Sequence, residues 1–175
     1  MRAIQAAVLN EIRNSQTLPQ TILDVGFGDG VFSHAVSAAF PNSDVTAIDT
    51  IIPPTLSAGG ITWIKGSVEQ LPFVSESFDL VIVVLSMHHW KNKEKGIREI
   101  TRVLKKGGRL NVGDPLLEDW MGNRILGGFM QALDGGVFTD EKRIREAWTQ
   151  AGLKNIEIRL VPHTMKTLYL ITAIK

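Results

Sequence analysis

Three glycines at alternate positions follow a short apolar run, in Asp24-Val25-Gly26-Phe27-Gly28-Asp29-Gly30. Glycine lets a backbone turn sharply and pass close to a ligand, because it carries no Cβ. Nineteen residues beyond Gly30, Asp49 closes a second apolar run. A carboxylate at that distance can accept hydrogen bonds from both hydroxyls of a ribose. Glycine loop and spaced acid together predict an adenosine-type ligand, with no firm requirement for phosphate. The dinucleotide fingerprint needs its third glycine at position 31, where this chain has Val31, which argues against NAD or FAD. No Gly-Lys-Ser or Gly-Lys-Thr is present, so the nucleotide-triphosphate loop is excluded as well.

The second group with chemical potential is His88-His89, just past the strand-like segment 78–85. Imidazole exchanges protons near neutral pH, so either residue could serve as a general base. The competing reading has both fixing the loop or capping the next helix. Asp114-Pro115 has the composition of a turn, and lining an acceptor site is its second reading. His34 and His163 lie on unrelated segments, so no metal site is expected. Cysteine is absent, which excludes disulfides, thiolate metal sites and a cysteine nucleophile. With 19 basic and 18 acidic residues the net charge is +1, and no basic patch is interleaved with aromatics. Neither nucleic acid nor an anionic membrane is therefore an expected partner. The longest apolar run, Leu80 to Leu85, is far below the ~18 residues of a membrane span, and the protein is expected in the cytoplasm.

The elements that position these residues alternate between two periodicities. Strands are predicted over 21–25, 45–48, 61–64, 78–85 and 109–112. Helices are predicted over 31–40 and 93–104, the latter ended by Gly107-Gly108. Thr139 should cap a further helix that buries Ile144, Ala147, Trp148 and Ala151. The last two strands, 156–160 and 167–173, are parted by Pro162 with no room for a helix, which predicts an antiparallel hairpin. Strands alternating with helices imply a parallel α/β sheet with right-handed crossovers, its ligand beyond the C-terminal strand ends.

Residues 22–30 resemble motif I of the class I S-adenosylmethionine-dependent methyltransferases, specifically the UbiE/BioC-like, type 11 group acting on small molecules. Val45-Thr46-Ala47-Ile48-Asp49 resembles that family's ribose-binding strand, and Glu69 to Phe73 with Ser77 to Val81 its passage into the fourth strand. Arg98 to Gly108 resembles the helix and turn before the fifth strand. The resemblance covers 22–113 closely and 139–173 more loosely. It implies one Rossmann-like domain over 1–175, with a seven-stranded sheet in the order 3-2-1-4-5-7-6, strand 7 antiparallel and helices on both faces. It also implies S-adenosylmethionine as cofactor, S-adenosylhomocysteine as product, and transfer of methyl to a small organic acceptor by in-line displacement. By resemblance, Asp24, Gly26, Phe27, Gly28 and Gly30 would form the loop facing the methionyl part, and Asp49 would bind the ribose. Thr50 and Ile51 would flank the adenine, and Leu85 and Ser86 would lie near the sulfonium. Ser67 stands where the family usually has an aspartate facing the adenine amine, with the Val68 N–H meeting the ring and Glu69 as a partial substitute.

Residues 114–138 alternate apolar side chains with glycines, as a lid over the acceptor or as core. The family's usual N-terminal cover is reduced to a short helix, with Ile4, Val8 and Ile12 on one face. The pocket is then either open or completed by a homodimer mate or partner subunit. A non-catalytic cofactor-binding subunit or sensor is the rival expectation.

Overall fold

The computed structural model describes residues 3–53, 56, 59–116, 141–162 and 168–175. In chain order these form α1 (Ala3–Arg13), β1 (Thr21–Val25), α2 (Val31–Ala39), β2 (Asp44–Asp49), β3 (Ile61–Lys65) and β4 (Phe78–Val84). There follow a single 3-10 turn (Met87–His89), α3 (Lys93–Val103), β5 (Leu104–Pro115), α4 (Glu141–Gln150), β6 (Lys154–Val161) and β7 (Leu168–Ile174). The seven strands make one sheet in the order β3-β2-β1-β4-β5-β7-β6. Pairing is parallel from β3 through β5, and β7 runs antiparallel to both β5 and β6. The expected order and the terminal hairpin are both observed.

The central strands are apolar on both sides because both sides are covered. Side chains alternate across a strand. Ile22, Leu80 and Ile82 therefore pack with Ile4, Val8, Ile12 and Val36 of α1 and α2. Leu23, Val25, Val81 and Val83 pack on the other face with Ile97, Ile100, Ile144 and Trp148 of α3 and α4. The short α1 reaches the sheet because Gly113 of β5 has no side chain: a Cβ there would lie 2.6 Å from Ile4 Cγ1.

Two local expectations change. Gly107-Gly108 does not end α3, which stops at Val103, and β5 starts immediately at Leu104. The glycines lie inside β5, where the register against β4 shifts between Phe78 and Leu80. Gly107 has φ +75° there, and its N–H donates to the Lys175 carbonyl. Asp114-Pro115 is not a turn either. Both residues are the last rungs of β5, paired with Tyr169 and Leu168 of β7. The lid-like segment from residue 117 onward, Thr139 and His163 lie outside the described residues.

Candidate functional site

The glycine loop leaves the C-terminal end of β1 and feeds α2. The Gly26 N–H donates to Ile48 of β2 at 2.8 Å, which carries the chain across the gap between β1 and β2. Gly26 has φ +78°, and a Cβ there would lie 1.8 Å from Ser86 Oγ and 2.5 Å from Ser86 Cβ. Two demands, the left-handed backbone and the space taken by Ser86, thus both favour glycine here. Gly28, at φ +59°, is the opposite case, since a Cβ there would meet nothing within 4 Å. The loop presents bare backbone to open space at that point. Gly30 ends the loop and cannot cap α2, so Asp29 Oδ1 accepts the Val31 N–H instead, at 3.1 Å.

Two carboxylates flank the loop. Asp49, at the end of β2, accepts the Gly28 N–H on Oδ2 at 3.0 Å and the Ile51 N–H on Oδ1 at 3.2 Å. Asp24, in β1, is fully buried, and Ser33 of α2 donates to its Oδ2 at 2.6 Å. Burial pushes its carboxyl up to about 7; the Ser33 bond opposes the rise and the nearby Asp49 charge adds to it.

The segment after β4 supplies the facing wall. Leu85 takes φ +54°, a rare conformation for a leucine, and its N–H donates to the Gly113 carbonyl at 2.8 Å. Fully buried Asp114 holds the next three residues. Its Oδ2 accepts the N–H groups of Ser86 at 3.0 Å and Met87 at 2.8 Å, and its Oδ1 lies 2.7 Å from His88 Nδ1. Trp90 donates its indole N–H to Ser86 Oγ at 3.2 Å. Its ring lies over Gly96 of α3, where a Cβ would sit 2.8 Å away. Asp114 is the main residue that sequence reasoning misplaced. A lone Asp-Pro carries a strong turn signal, and only the β5–β7 pairing reveals it as a buried anchor.

Two cavities open at this end of the sheet. One, of about 640 Å³, is lined by Gly26, Gly28, Asp49, Thr50, Ser67, Val68, Leu85, Ser86 and His89, together with Trp90 and Lys91. The other, of about 540 Å³, is lined by Asp24, Gly26, Phe27, Gly28 and Leu85, with Gln5 reaching in from α1. They share Gly26, Gly28 and Leu85, so the glycine loop and Leu85 form a waist between them. Gly30, Ile51 and His88 line neither: Gly30 backs onto Leu56 and Trp63, Ile51 is exposed at the rim, and His88 faces Asp114. Gln5, Trp90 and Lys91 escaped sequence reasoning, because an amphipathic helix and an aromatic-basic pair carry no ligand signal by themselves. On the far wall, Ser67 Oγ accepts the Glu69 N–H at 3.2 Å, and Glu69 Oε1 accepts the Asn92 N–H at 2.8 Å. Glu69 thus has a structural partner of its own. Behind this wall, Arg102 donates to the carbonyls of Leu71 and Phe73 and pairs with Glu99 at 2.8 Å. Among the described residues no cluster of three or more His, Asp or Glu could hold a metal. No helix among them is long and apolar enough to cross a membrane.

The model of a family described as a methyltransferase domain matches residues 23–112, just over half of the chain. The ubiquinone/menaquinone biosynthesis C-methyltransferase UbiE of Syntrophotalea carbinolica is 33% identical over 99 residues, which are 52% of this chain and 42% of that protein. The malonyl-[acyl-carrier protein] O-methyltransferase of Methylococcus capsulatus is 32% identical over 116 residues, 62% of this chain and 42% of that protein. The matches thus span less than half the length of these relatives. Among solved structures, phosphoethanolamine N-methyltransferase 2 of Haemonchus contortus in complex with S-adenosyl-L-methionine gives a TM-score of 0.77 at 15% identity, over 98% of this chain and 52% of that one. An S-adenosylmethionine-dependent methyltransferase from Mesorhizobium loti gives 0.75 at 17% identity, over 99% and 98%. At these identities the likeness is one of fold. The chain belongs to the methyltransferase-domain family.

Proposed function

We propose that this member of the methyltransferase-domain family binds S-adenosylmethionine across the two joined cavities and transfers its methyl group to a small organic acceptor. The observation that carries the reading is the waist at Gly26, Gly28 and Leu85, with one carboxylate at each side of it. A nucleoside fits the larger cavity, where Asp49 keeps acceptor capacity for ribose hydroxyls beyond its bonds to Gly28 and Ile51. Thr50 at the lip, with Ser67 and Val68 on the far wall, would hold the base, and Ile51 would cover it from the rim. The amino-acid end fits the smaller cavity, where Asp24 can pair with an ammonium group. Leu85 and Ser86 would stand beside the sulfonium at the waist.

The cofactor supplies an electrophilic methyl carbon on a good leaving group. What the chain supplies is alignment. Restricting two reactants to a near-attack geometry contributes up to roughly 7–11 kcal/mol. The rigid pieces that could do so are the glycine loop, closed by Ser86, and the post-β4 turn, held by Asp114. His89, which lines the larger cavity, and His88, held by Asp114 beside it, are the candidates for moving a proton. The names of the two relatives, a C- and an O-methyltransferase, support acceptors at carbon or oxygen. We further propose that residues 1–175 act as one methyltransferase domain, with the acceptor side either open or covered by a second subunit.

Titration calorimetry with S-adenosylhomocysteine, followed by transfer of labelled methyl to a panel of hydroxyl, thiol, amine and carbon acceptors, tests the proposal. Binding and transfer are expected. Binding with no transfer to any acceptor would favour a sensor, for which Ser67 in place of an acid is the motivating observation.

A further inference from the structure

We infer that the chain carries a second ligand site, at the end of the sheet opposite the glycine loop, and that this site takes the phosphate group of a small anion. A cavity of about 630 Å³ opens there, lined by Lys105, Lys106 and Arg109 of β5, by Asp79 of β4 and by the segment 16–20 that enters β1. Asp79 and that segment lie at the N-terminal ends of β4 and β1, whereas the glycine loop leaves the C-terminal end of β1. The length of the sheet, roughly 15–20 Å, separates the two places. A ligand here therefore takes no part in the methyl transfer proposed above. In a regular strand Lys105 and Lys106 would point to opposite faces. Gly107, with φ +75°, and the register shift against β4 break that alternation, so both lysines and Arg109 line one cavity.

Three cations thus face one carboxylate, in a chain whose net charge is only +1. That carboxylate is already engaged. Asp79 Oδ2 accepts the N–H groups of Gln20 at 3.1 Å and Thr21 at 2.9 Å and the Thr21 hydroxyl at 2.9 Å, and its Oδ1 accepts Lys105 Nζ at 2.9 Å. Arg109 and Lys106 are left over. A guanidinium has five N–H donors. The half-buried one of Arg109 makes one hydrogen bond among the described residues, from Nη2 to the Thr17 carbonyl at 3.0 Å. Glu11, the other acid near it, is paired with Arg159. Lys106 is exposed and makes no ion pair among the described residues. A planar fork beside two ammonium groups suits a phosphate, with about −1.5 to −2 of charge at pH 7 and three acceptor oxygens, better than a singly charged carboxylate. No aromatic side chain lines the cavity, so it is not a stacking platform for nucleic-acid bases. Exposed Leu18 and partly buried Ile174 offer apolar contact to an organic group behind the phosphate.

The test titrates the full chain with inorganic phosphate, phenyl phosphate and, as the singly charged control, acetate, in about 0.15 M NaCl so that loose surface attraction is screened. Both phosphates should bind saturably with Kd below about 5 mM, and acetate at least about tenfold more weakly. In nitrogen-15 correlation spectra the shifted amides should centre on residues 16–20 and 105–109, with 26–30 unmoved. Arg109→Gln should raise Kd by about 10–100-fold, and Lys106→Glu by at least about fivefold. Arg109→Gln also breaks the bond to Thr17; if it does not fold, Lys106→Glu alters an exposed side chain and still decides. Phenyl phosphate bound at least about threefold more tightly than inorganic phosphate assigns an organic monoester, and equal affinity assigns free phosphate; both keep the site. No saturation by either phosphate, shifts centred on 26–30, or unchanged affinity in Lys106→Glu overturns it. Acetate bound as tightly as phosphate overturns the ligand class.

Discussion

Replacing Gly26 by alanine inserts one methyl group at the tightest point of the site. Two separable costs follow. The left-handed backbone at φ +78° costs an L-residue roughly 1–2 kcal/mol. The new Cβ would also lie 1.8 Å from Ser86 Oγ and 2.5 Å from Ser86 Cβ. Rotating the hydroxyl relieves the first contact only, and it breaks the bond from Trp90 Nε1. Overpacking of this kind costs about 1–3 kcal/mol. The sum, about 2–5 kcal/mol, corresponds to a fall in Tm of roughly 4–20 °C for a chain of this size. Binding of S-adenosylhomocysteine should weaken as well, since Ser86 and the loop face the same cavity. Ser86→Gly added to Gly26→Ala removes the clash and leaves the backbone term. The double-mutant cycle should therefore show a coupling of about 1–3 kcal/mol in urea unfolding. Strict additivity of the two substitutions would refute the claim that Ser86 fills the space of a missing side chain.

Asp49→Ala should raise the Kd for S-adenosylhomocysteine by about 10–100-fold, because it removes a charged acceptor and frees the Gly28 N–H; unchanged calorimetric affinity counts against the ribose assignment. Asp24 gives a pH prediction. Its folded pKa of about 7 lies above the ordinary carboxyl value of 3.8, so between those limits the folded state binds more protons than the unfolded. Stability should fall as pH rises from about 4 to about 7 and then level off, by at most on the order of 4 kcal/mol. Asp24→Asn should lose this slope, and parallel urea-midpoint profiles for the two proteins between pH 5 and 8 would contradict the burial argument. Arg102→Lys removes the planar fork that serves Glu99 and the carbonyls of Leu71 and Phe73 together. It should cost about 1–3 kcal/mol in urea unfolding, and an unchanged midpoint would show that the segment 71–73 is held by other contacts.

Much of the fold is legible along the chain because its determinants are local. Runs rich in branched apolar residues at 21–25 and 78–84 mark strands buried on both faces, and Gly26, Gly28 and Gly30 declare a bend in the left-handed region that favours glycine. Pro162 between two apolar runs declares the hairpin that makes β7 antiparallel. The glycine-loop side of the candidate site follows for the same reason: loop, helix, strand and Asp49 come in a fixed order within about thirty residues.

The wall that follows β4 is not legible in this way. Gly107-Gly108 has the composition of a helix stop and becomes the irregularity inside a strand, tied to Lys175 by hydrogen bonds from the Gly107 N–H to its carbonyl and from its N–H to the Gly108 carbonyl. Asp114-Pro115 has the composition of a turn and becomes a buried anchor. The amino-acid sequence by itself determined the order of elements and the carboxylates beside the glycine loop, through periodicity and the conformational freedom of single residues. Only the tertiary structure decided that Ser86 closes on Gly26 and that Asp114 holds His88. Those contacts exist because Val84 is paired with Gly113 across β4 and β5, which sets the next residues of each strand side by side. A register between strands separated by a helix is fixed by packing, and no spacing within either segment encodes it.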